Sequence, residues 1–393
     1  MKPLRTRMTA RDTTEEHRVS SPLELLFDLT FVVAVAQIAS ELAHAVADGH
    51  AGETLFPFLS VFFAIWWAWN QFAWLASAFD NDDALYRVLT MVQMGGVLVL
   101  AAGVPRAFEG EFLGVTVGYL IMRVGLVAML LRAAHDDSQH GATARRYAIG
   151  ISVVQLGWLL RLFFIPAEFL LLAFPVLALA EMLVPVWAAR AGELQWHPHH
   201  IAERYGLFVI ILLGESVLAS TSAVQLGIDA GITPQLVIIA TAGLVLLFAL
   251  WWIYFSEPAG EGLSHNRDRS FFWGYGHYVV FAGLAAIGAG LEVAVESAVH
   301  HLEASDLVVC LAIAVPLAAV LLTIWLAHAP LVERVVIHPV ATVLTAVVVL
   351  ALPLLAPQIG VAATVTAMTV AVVGLLVFTL LKGRHDTAPA LHG

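Results

Sequence analysis

The apolar run at residues 307–327, LVVCLAIAVPLAAVLLTIWLA, decides the fold class. It contains no charged residue, and its 21 residues match the length that an α-helix needs to cross a lipid bilayer. Similar runs recur along the chain between short polar breaks, and they lack the alternating pattern of a membrane β-barrel. The pattern therefore predicts an all-α polytopic membrane protein with membrane lipids as its surroundings.

Twelve such runs are predicted to be transmembrane helices. The composition agrees, because 60% of the 393 residues are hydrophobic and 12% are charged, against about 25% charged in a soluble domain. The net charge of −11 argues against a nucleic-acid partner. The predicted helices are 23–46, 55–79, 84–104, 113–132, 146–165, 168–189, 201–224, 233–256, 272–297, 306–327, 335–356 and 359–381.

The distribution of basic residues predicts the orientation. With the N-terminus in the cytoplasm, sixteen Arg and Lys residues fall on the inner side and two, Arg106 and Arg161, on the outer side. Such a bias is typical of cytoplasmic loops in membrane proteins. We therefore expect both termini to be cytoplasmic.

An internal repeat is predicted from a tryptophan pair. The pair at 66–67 recurs at 251–252, and the same offset of 185 residues carries Asp83 onto Asp268. A parallel 6+6 duplication explains this offset, although tryptophan pairs also recur independently at membrane interfaces. The predicted segments are a tail at 1–22, repeats at 23–190 and 191–381, and a second tail at 382–393.

Three short motifs carry a resemblance to a known family. They are SPLELLFDLTF at 21–31, WWAWN at 66–70, and ERYGLF at 203–208 followed by LGES at 213–216. Together they resemble the bacterial low temperature requirement A family, in order and over nearly the whole chain. The family's second aromatic of the first motif is Leu26 here, but Glu24 and Asp28 are in place. The resemblance implies a multi-pass protein of the bacterial inner membrane, and it does not imply a reaction or a substrate.

Helix 1 carries the first candidate site residues. Glu24 and Asp28 are four residues apart and therefore share one helical face near the inner surface, while Gln37 lies further along the helix. These side chains could form an entry for a proton or cation. Alternatively, the acids stabilise the start of the helix through its dipole.

Helix 7 carries Glu203 and Arg204 at its inner end, and Glu215 lies about 18 Å beyond Glu203, with Ser216 beside it. A charge near the bilayer centre costs about 2.5–3.5 kcal/mol on insertion scales. Glu215 is therefore predicted to be the coupling carboxylate, with Arg123, Gln37 and His277 as its candidate partners. The alternative is a purely structural pair.

Glu181, in the middle of helix 6, is a second intramembrane acid. Arg123 in helix 4 is the natural counter-charge of Glu181 or of Glu215. The sequence leaves this choice open, and the acid that does not pair with Arg123 is the better candidate for proton exchange.

Helices 2, 3 and 9 add polar and aromatic candidates. Trp67, Asn70, Gln93 and His277 could line a polar cavity for a small organic ligand or cation. Alternatively, the indoles belong to the core, and the amides form hydrogen bonds between helices.

Enzyme chemistry is not expected. The sequence has no phosphate-binding glycine loop, nucleophile elbow or paired-histidine zinc helix. His197, His199 and His200 lie in a predicted inner loop, where they could bind a metal or form a solvated connection to helix 7. We expect no cofactor and no metal.

The size, the repeat and the buried acids favour a secondary transporter for an unknown small solute or ion, with proton coupling as an option. A cation channel with helices 1 and 7 lining the pore is one alternative, and it could require a homodimer. A membrane-embedded protein that binds lipid or another amphiphile is the other.

Overall fold

The apolar runs fold into helices. The computed structural model describes residues 4–11, 19–79, 81–165, 169–257, 259–331 and 336–387. Within these ranges the regular elements are helices, apart from an isolated antiparallel bridge between Ala10 and Phe79. The all-α prediction is therefore confirmed.

The helices follow the predicted order. They are α1 (Pro22–Ala47), α2 (Ala51–Ala78), α3 (Ala84–Phe108), α4 (Leu113–Asp136), α5 (Gly141–Phe164), α6 (Leu170–Ala189), α7 (Pro198–Ala230), α8 (Pro234–Phe255), α9 (Ala259–His265), α10 (Ser270–Glu296), α11 (Asp306–His328), α12 (Pro339–Ala351), α13 (Ala356–Ile359) and α14 (Val361–Thr387). Short 3-10 turns lie at Arg267–Arg269 and Leu352–Leu355.

Eleven helical stretches in the described part of the chain are long and apolar enough to cross a membrane. The remaining predicted span corresponds to α7, a helix of 33 residues that carries Arg204 and Glu215. These lengths and compositions identify a multi-pass membrane protein. Of the sixteen basic residues counted on the predicted inner side, Lys2, Arg18 and Arg334 lie outside the described residues.

The eleventh predicted helix is not one continuous α-helix. It ends as α12 at Ala351 and continues through the 3-10 turn at Leu352–Leu355 into α13. Pro353 and Pro357 explain the interruption, because proline lacks the N–H that the α-helical hydrogen bond requires. The stretch Pro339–Ile359 is still long and apolar enough to cross a membrane. The prolines change the helix geometry of this stretch but not its hydropathy.

The chain divides into two compact units. Unit 1 consists of Met1–Ile38 and Phe56–Tyr205, and unit 2 of Ala39–Leu55 and Gly206–Gly393. The divisions fall within α1, α2 and α7. The first parts of α1 and α7 and the last part of α2 therefore belong to unit 1. These units are different segments from the predicted repeats at 23–190 and 191–381.

In unit 1, α3 and α4 pack backbone against backbone. A Cβ atom at Gly118 would lie 2.3 Å from the Leu100 nitrogen, and one at Gly103 would lie 2.7 Å from the Gly114 carbonyl carbon. Gly114 and Gly118 form a GxxxG pattern, which allows this close approach of membrane helices. This close contact between α3 and α4 fixes the position of α4, which carries Tyr119 and Arg123, within unit 1.

The N-terminal segment 4–11 runs across the ends of α3 and α4. The backbone N–H groups of Thr6, Met8 and Ala10 donate to three aspartates. The acceptors, in the same order, are Asp83 at 2.6 Å, Asp136 at 3.2 Å and Asp137 at 2.9 Å. The alternation of donors is that of an extended strand, so the three carboxylates bind this segment in the way a neighbouring strand would.

Asp83 also organises the helices beneath this segment. It is the N-cap of α3, accepts from the Tyr86 N–H at 2.9 Å and from Arg132 Nη1 at 3.0 Å, and forms an ion pair with Arg132. Burial acts to raise the pKa of Asp83, but the hydrogen bonds from Arg132, Tyr86 and Thr6 outweigh it and hold the pKa at about 2. Asp83 is therefore an ionised group at neutral pH that joins the N-terminal segment, α3 and α4.

The 6+6 repeat is not confirmed. Trp66 and Trp67 are fully buried, whereas Trp251 and Trp252 are 45% and 49% exposed. Asp83 is buried in its ion pair, whereas the Asp268 side chain is 76% exposed. The residues from which the repeat was predicted therefore lie in different environments, and the duplication stays a prediction.

Candidate functional site

Asp28 is a buried carboxylate on α1 that two other helices contact. It is 1% exposed. Its Oδ1 accepts a hydrogen bond from Trp69 Nε1 of α2 at 2.7 Å and another from Arg204 of α7. Its Oδ2 is also buried and has no hydrogen-bond partner among the described residues. Oδ1 therefore accepts two hydrogen bonds, whereas Oδ2 accepts none from the described residues.

Arg204 is the cation of this cluster. It is fully buried, forms an ion pair with Asp28, and its Nη1 lies 3.4 Å from Glu24 Oε1. Its guanidinium carbon lies 5.9 Å from the centre of the Phe72 ring. Glu24 and Asp28 are one helical turn apart, so both can face the same guanidinium. Their charges offset the cost of burying Arg204.

Glu24 has a structural role in addition to this ion pair. Its Oε2 accepts the Ser21 N–H at 2.6 Å, and the Glu24 N–H donates to Ser21 Oγ at 3.3 Å. This reciprocal pair is a capping box, which satisfies N–H groups at the start of α1. Glu24 Oε1 also lies 3.3 Å from His200 Nε2. The structural alternative for Glu24 is thus realised together with its contact to the buried cation.

The histidine segment before α7 differs from the predicted solvated loop. Helix α7 begins at Pro198, a favoured first helical residue, and His197 and His200 are both buried. The His200 N–H donates to His197 Nδ1 at 3.3 Å. The expectation of a solvated connection is therefore wrong for these two histidines, whereas His199 is exposed. The described residues contain no group of three His, Cys, Asp or Glu side chains that could hold a metal.

Asn70 forms a polar contact between α2 and α7. Its Oδ1 accepts from the Tyr205 hydroxyl and from Trp74 Nε1 at 3.1 Å, and Trp74 Nε1 also lies 3.1 Å from the Tyr205 oxygen. These bonds satisfy a buried amide oxygen in an apolar setting. The contact lies on the same two helices as the Trp69 and Arg204 bonds to Asp28.

A second buried network surrounds Glu181 on α6. Its Oε2 accepts from Trp67 Nε1 at 2.7 Å, and its Oε1 accepts from Trp158 Nε1 at 3.2 Å. The Tyr119 hydroxyl interacts with both Glu181 and Arg123. Glu181 is fully buried, so these donors replace the water that an ionised carboxylate requires.

Arg123 reaches Glu181 through Tyr119. Its Nη1 donates to Gln71 Oε1 at 2.7 Å, its Nη2 donates to Tyr119, and its guanidinium carbon lies 4.2 Å from the Tyr119 ring centre. The described residues show no direct ion pair between Arg123 and an acid. The predicted pairing with Glu181 is therefore indirect.

Helix α2 lies between the two networks. Trp67 and Gln71, one turn apart, contact the Glu181 network. Trp69 donates to Asp28, and Asn70 accepts from Tyr205 on α7. Two indoles of the WWAWNQ stretch, Trp67 and Trp69, and its two amides therefore form hydrogen bonds to buried charges and to α7. This supports the alternative that they belong to the core.

The remaining predicted site residues of unit 1 lie away from these networks. Gln93 is buried, and its amide nitrogen lies 3.5 Å from the Leu89 carbonyl oxygen and 3.6 Å from Met129 Sδ. Gln37 is exposed on α1. Neither contacts Asp28 or Glu181 within the described part of the chain.

In unit 2, Glu215 is half-buried and makes no hydrogen bond or ion pair with the described residues. Its charge acts on Glu292, which is also within electrostatic range of Glu296 and His44. The Ser216 hydroxyl donates to the Leu212 carbonyl at 3.0 Å. Ser216 therefore bonds to its own helix, and Glu215 interacts electrostatically with Glu292.

His277 belongs to a buried histidine pair in unit 2. Nδ1 of His277 and of His328 each lies 2.8 Å from the carbonyl oxygen four residues earlier, so each Nδ1 carries the proton. His277 Nε2 then accepts from the Tyr254 hydroxyl at 3.0 Å, and His328 Nε2 accepts from Trp273 Nε1 at 3.4 Å. Both imidazoles are satisfied in the neutral form.

The sequence reasoning placed Arg204 at the inner end of helix 7 but did not assign it as the partner of Asp28. The signal was available, since both acids of helix 1 and Arg204 were predicted near the same membrane surface. Tyr119 and Trp158 were also missed. A tyrosine or tryptophan in an apolar run is normally assigned to the core, because the sequence does not show which partner its polar atom has.

The fold and these networks define a class: a multi-pass helical membrane protein with paired charges buried among its helices. The model of the bacterial low temperature requirement A (LtrA) protein family matches residues 19–376. The chain belongs to this family, as its motifs predicted. It is 27% identical over 295 residues to the uncharacterised protein RA0937 of Rhizobium meliloti (strain 1021). The aligned residues cover 71% of this chain and 70% of that protein. No solved structure matches the chain.

Proposed function

We propose that the protein is a proton-coupled secondary transporter of a small solute and that Asp28 is its proton-binding residue. The supporting observation is the asymmetry of the Asp28 carboxylate. Both donors, Trp69 and Arg204, bond to Oδ1, whereas the buried Oδ2 has no partner among the described residues.

This asymmetry suits a group that gains and loses a proton. An ionised carboxylate with an unsatisfied buried oxygen is under-stabilised, because water has been removed without a replacement donor. Protonation at Oδ2 removes the buried charge, which lowers that penalty, and leaves both bonds to Oδ1 in place. It also weakens the attraction for Arg204, whose other acidic neighbour is Glu24. A proton on Asp28 thus changes the electrostatic link between α1 and α7.

Such a link is useful to a transporter. Alternating access requires helices that exchange partners around a buried site. Protonation of Asp28 shifts Arg204 toward Glu24, and the guanidinium stays paired with one ionised carboxylate. The Glu181 network supports the same proposal, because its carboxylate and Arg123 are joined through Tyr119, a hydroxyl that can donate to either group.

The channel alternative has less support. It requires polar side chains of α1 and α7 to face a water-filled path. In unit 1, the facing side chains Glu24, Asp28 and Arg204 contact one another, and all three are buried.

The test uses purified full-length protein in proteoliposomes that contain a pH-sensitive dye. Amino acids, monocarboxylates and small organic cations are added one at a time, and proton movement and solute counterflow are recorded. We expect a solute that moves protons with the wild type. Asp28→Asn should lose the proton movement but retain counterflow, because Asn keeps the Oδ1 acceptor. Asp268→Asn, an exposed aspartate, is the matched control and should behave as the wild type.

Proton movement unchanged in a folded Asp28→Asn variant would exclude Asp28. Ion current that needs no solute would favour the channel. We also propose a bacterial inner-membrane location with both termini in the cytoplasm, on the basis of the basic-residue bias. Reporter fusions at Gly49 and at the C-terminus should then lie on opposite sides of the membrane.

A further inference from the structure

A cavity of about 40 Å³ lies in unit 1 between α2, α4, α5 and α6. Its wall includes Ser60, Thr116, Trp158 and Arg161, together with the rings of Phe112 and Phe174. This volume is the space open to the centre of a water-sized sphere, and roughly 10–15 Å³ of it is needed to hold one water molecule. The space therefore fits a single-atom ion or a few waters.

Arg161 gives this cavity a positive charge. Its side chain is 4% exposed, and its Nη2 donates to the Leu170 carbonyl at 3.3 Å. Among the described residues, its buried Nε has no hydrogen-bond partner, and no acid lies within ion-pair distance. A guanidinium buried in this way needs an anion or a set of acceptors to offset its lost hydration.

The aromatic rings around Arg161 do not supply that anion. The guanidinium carbon lies 5.4 Å from the Phe112 ring centre, 5.8 Å from that of Trp158 and 6.0 Å from that of Phe174. At these distances the attraction between the guanidinium and each ring is weak. The rings also exclude water from one side of the cation, which strengthens its attraction for an anion.

Other donors converge on the same space. Ser60 Oγ is buried and has no hydrogen-bond partner within the described part of the chain, and Thr116 lies in the first turn of α4. The positive end of the α4 dipole adds to the attraction for an anion. None of the described residues that line the cavity is acidic. Glu181 is not one of them, and it accepts hydrogen bonds from Trp67 and Trp158.

We infer that this cavity binds one small monovalent anion of chloride size, with Arg161 Nε and Ser60 Oγ as its donors. The cavity volume favours a halide over a carboxylate solute or a lipid phosphate. This site is separate from Asp28, and its occupancy can be measured without any transport assay. Its failure would leave the proposed function untouched.

The first experiment measures the melting temperature of the purified protein in detergent while chloride replaces gluconate at constant ionic strength and pH. The wild type should show a saturable rise. Arg161→Gln should lose it, and Ser60→Ala should need about tenfold more chloride. Arg87→Gln is the matched control, because Arg87 is exposed and paired with Asp82, and its chloride response should equal that of the wild type.

The second experiment locates the ion directly by anomalous scattering from crystals grown in bromide. Bromide within hydrogen-bonding distance of Arg161 Nε supports the proposal, even if Arg161→Gln fails to fold. Density for water only at this position, or an equal chloride response in the wild type and Ser60→Ala, would overturn it. A lipid phosphate in place of bromide would also overturn it.

Discussion

The two units bury polar groups in different ways. Unit 1 buries charges: Asp28 with Arg204, Asp83 with Arg132, and Glu181 with tryptophan and tyrosine donors. Unit 2 buries the histidines His277 and His328 in a neutral, fully bonded form. Its acids Glu215 and Glu292 are only partly buried.

This difference indicates where function lies. A satisfied neutral histidine can be a stable part of the core, because both ring nitrogens have partners. A buried ion pair is a weak source of stability, because the desolvation of both ions offsets their attraction. Charges retained inside a membrane protein are therefore functional candidates, and unit 1 contains most of them.

The largest expected effect is that of Arg204→Met. Removal of the cation leaves Glu24 and Asp28 buried without it, and breaking a buried pair in this way costs about 3–5 kcal/mol. The control in unit 2 is Arg269→Met, because Arg269 contacts Asp268 in an exposed pair. We expect that control to cost less than about 1 kcal/mol. Unfolding in SDS, followed by tryptophan fluorescence, measures both.

Addition of Asp28→Asn to Arg204→Met should recover part of the loss, because it removes one of the two uncompensated charges. No recovery in the double variant would mean that Arg204 stabilises the helices by packing. Equal losses for Arg204→Met and Arg269→Met would remove the contrast between the units.

The second prediction compares Asp83 with Asp268. The folded-state pKa of Asp83 is about 2, below its ordinary 3.8, so the ionised form stabilises the fold. This contribution is complete above about pH 5 and is lost as the pH falls through 3.8 toward 2. The shift corresponds to roughly 2 kcal/mol. Asp83→Asn should lose this amount at pH 7 and flatten the pH dependence below pH 4.

Asp268→Asn should change stability by less than about 0.5 kcal/mol, because its side chain is 76% exposed. Melting temperatures from pH 2.5 to 7 test both variants. Because Asp83 binds Thr6, Asp83→Asn should also increase cleavage of the N-terminal segment by protease. A steep acid transition that persists in Asp83→Asn would assign it to another group, such as Asp137, whose pKa is also lowered, by hydrogen bonds from His140 and Ala10 that outweigh its burial.

The sequence was sufficient for the fold class and for the positions of most helices, because hydropathy over about 20 residues dominates the energetics of insertion. It also identified Asp28, Arg204 and Glu181 as residues that need partners, since an intramembrane charge is costly wherever it lies. The partners themselves could not be assigned. Which indole meets Glu181 depends on helix rotation and crossing, and hydropathy contains no such information. The tryptophan offset leaves the repeat unconfirmed for a similar reason, because composition does not distinguish a buried indole from one on the exposed surface.

The third prediction tests that tryptophan comparison. Trp67→Phe removes the indole N–H that bonds to Glu181 at 2.7 Å. It leaves a buried acceptor with one fewer donor, which costs about 1–3 kcal/mol. Trp252→Phe, at a position 49% exposed, should cost less than about 0.5 kcal/mol. SDS unfolding measures both, and similar costs would argue that the two tryptophans play matching roles, as a repeat requires.

The smallest effect on stability is expected for Glu215→Gln. Glu215 is half-buried and has no hydrogen bond with the described residues to lose, so the change should stay within about 0.5 kcal/mol. Removal of its charge also relieves repulsion with Glu292. Glu215→Gln also distinguishes the two units by its effect on transport.

If Asp28 in unit 1 binds the proton, Glu215→Gln should keep the pH dependence of flux in proteoliposomes, and Asp28→Asn should lose it. Loss of the pH dependence in a folded Glu215→Gln variant would instead place proton coupling in unit 2, as the depth of Glu215 along α7 predicted. The double variant then separates the cases, because two acids on one proton path give no further loss, whereas independent sites give additive losses.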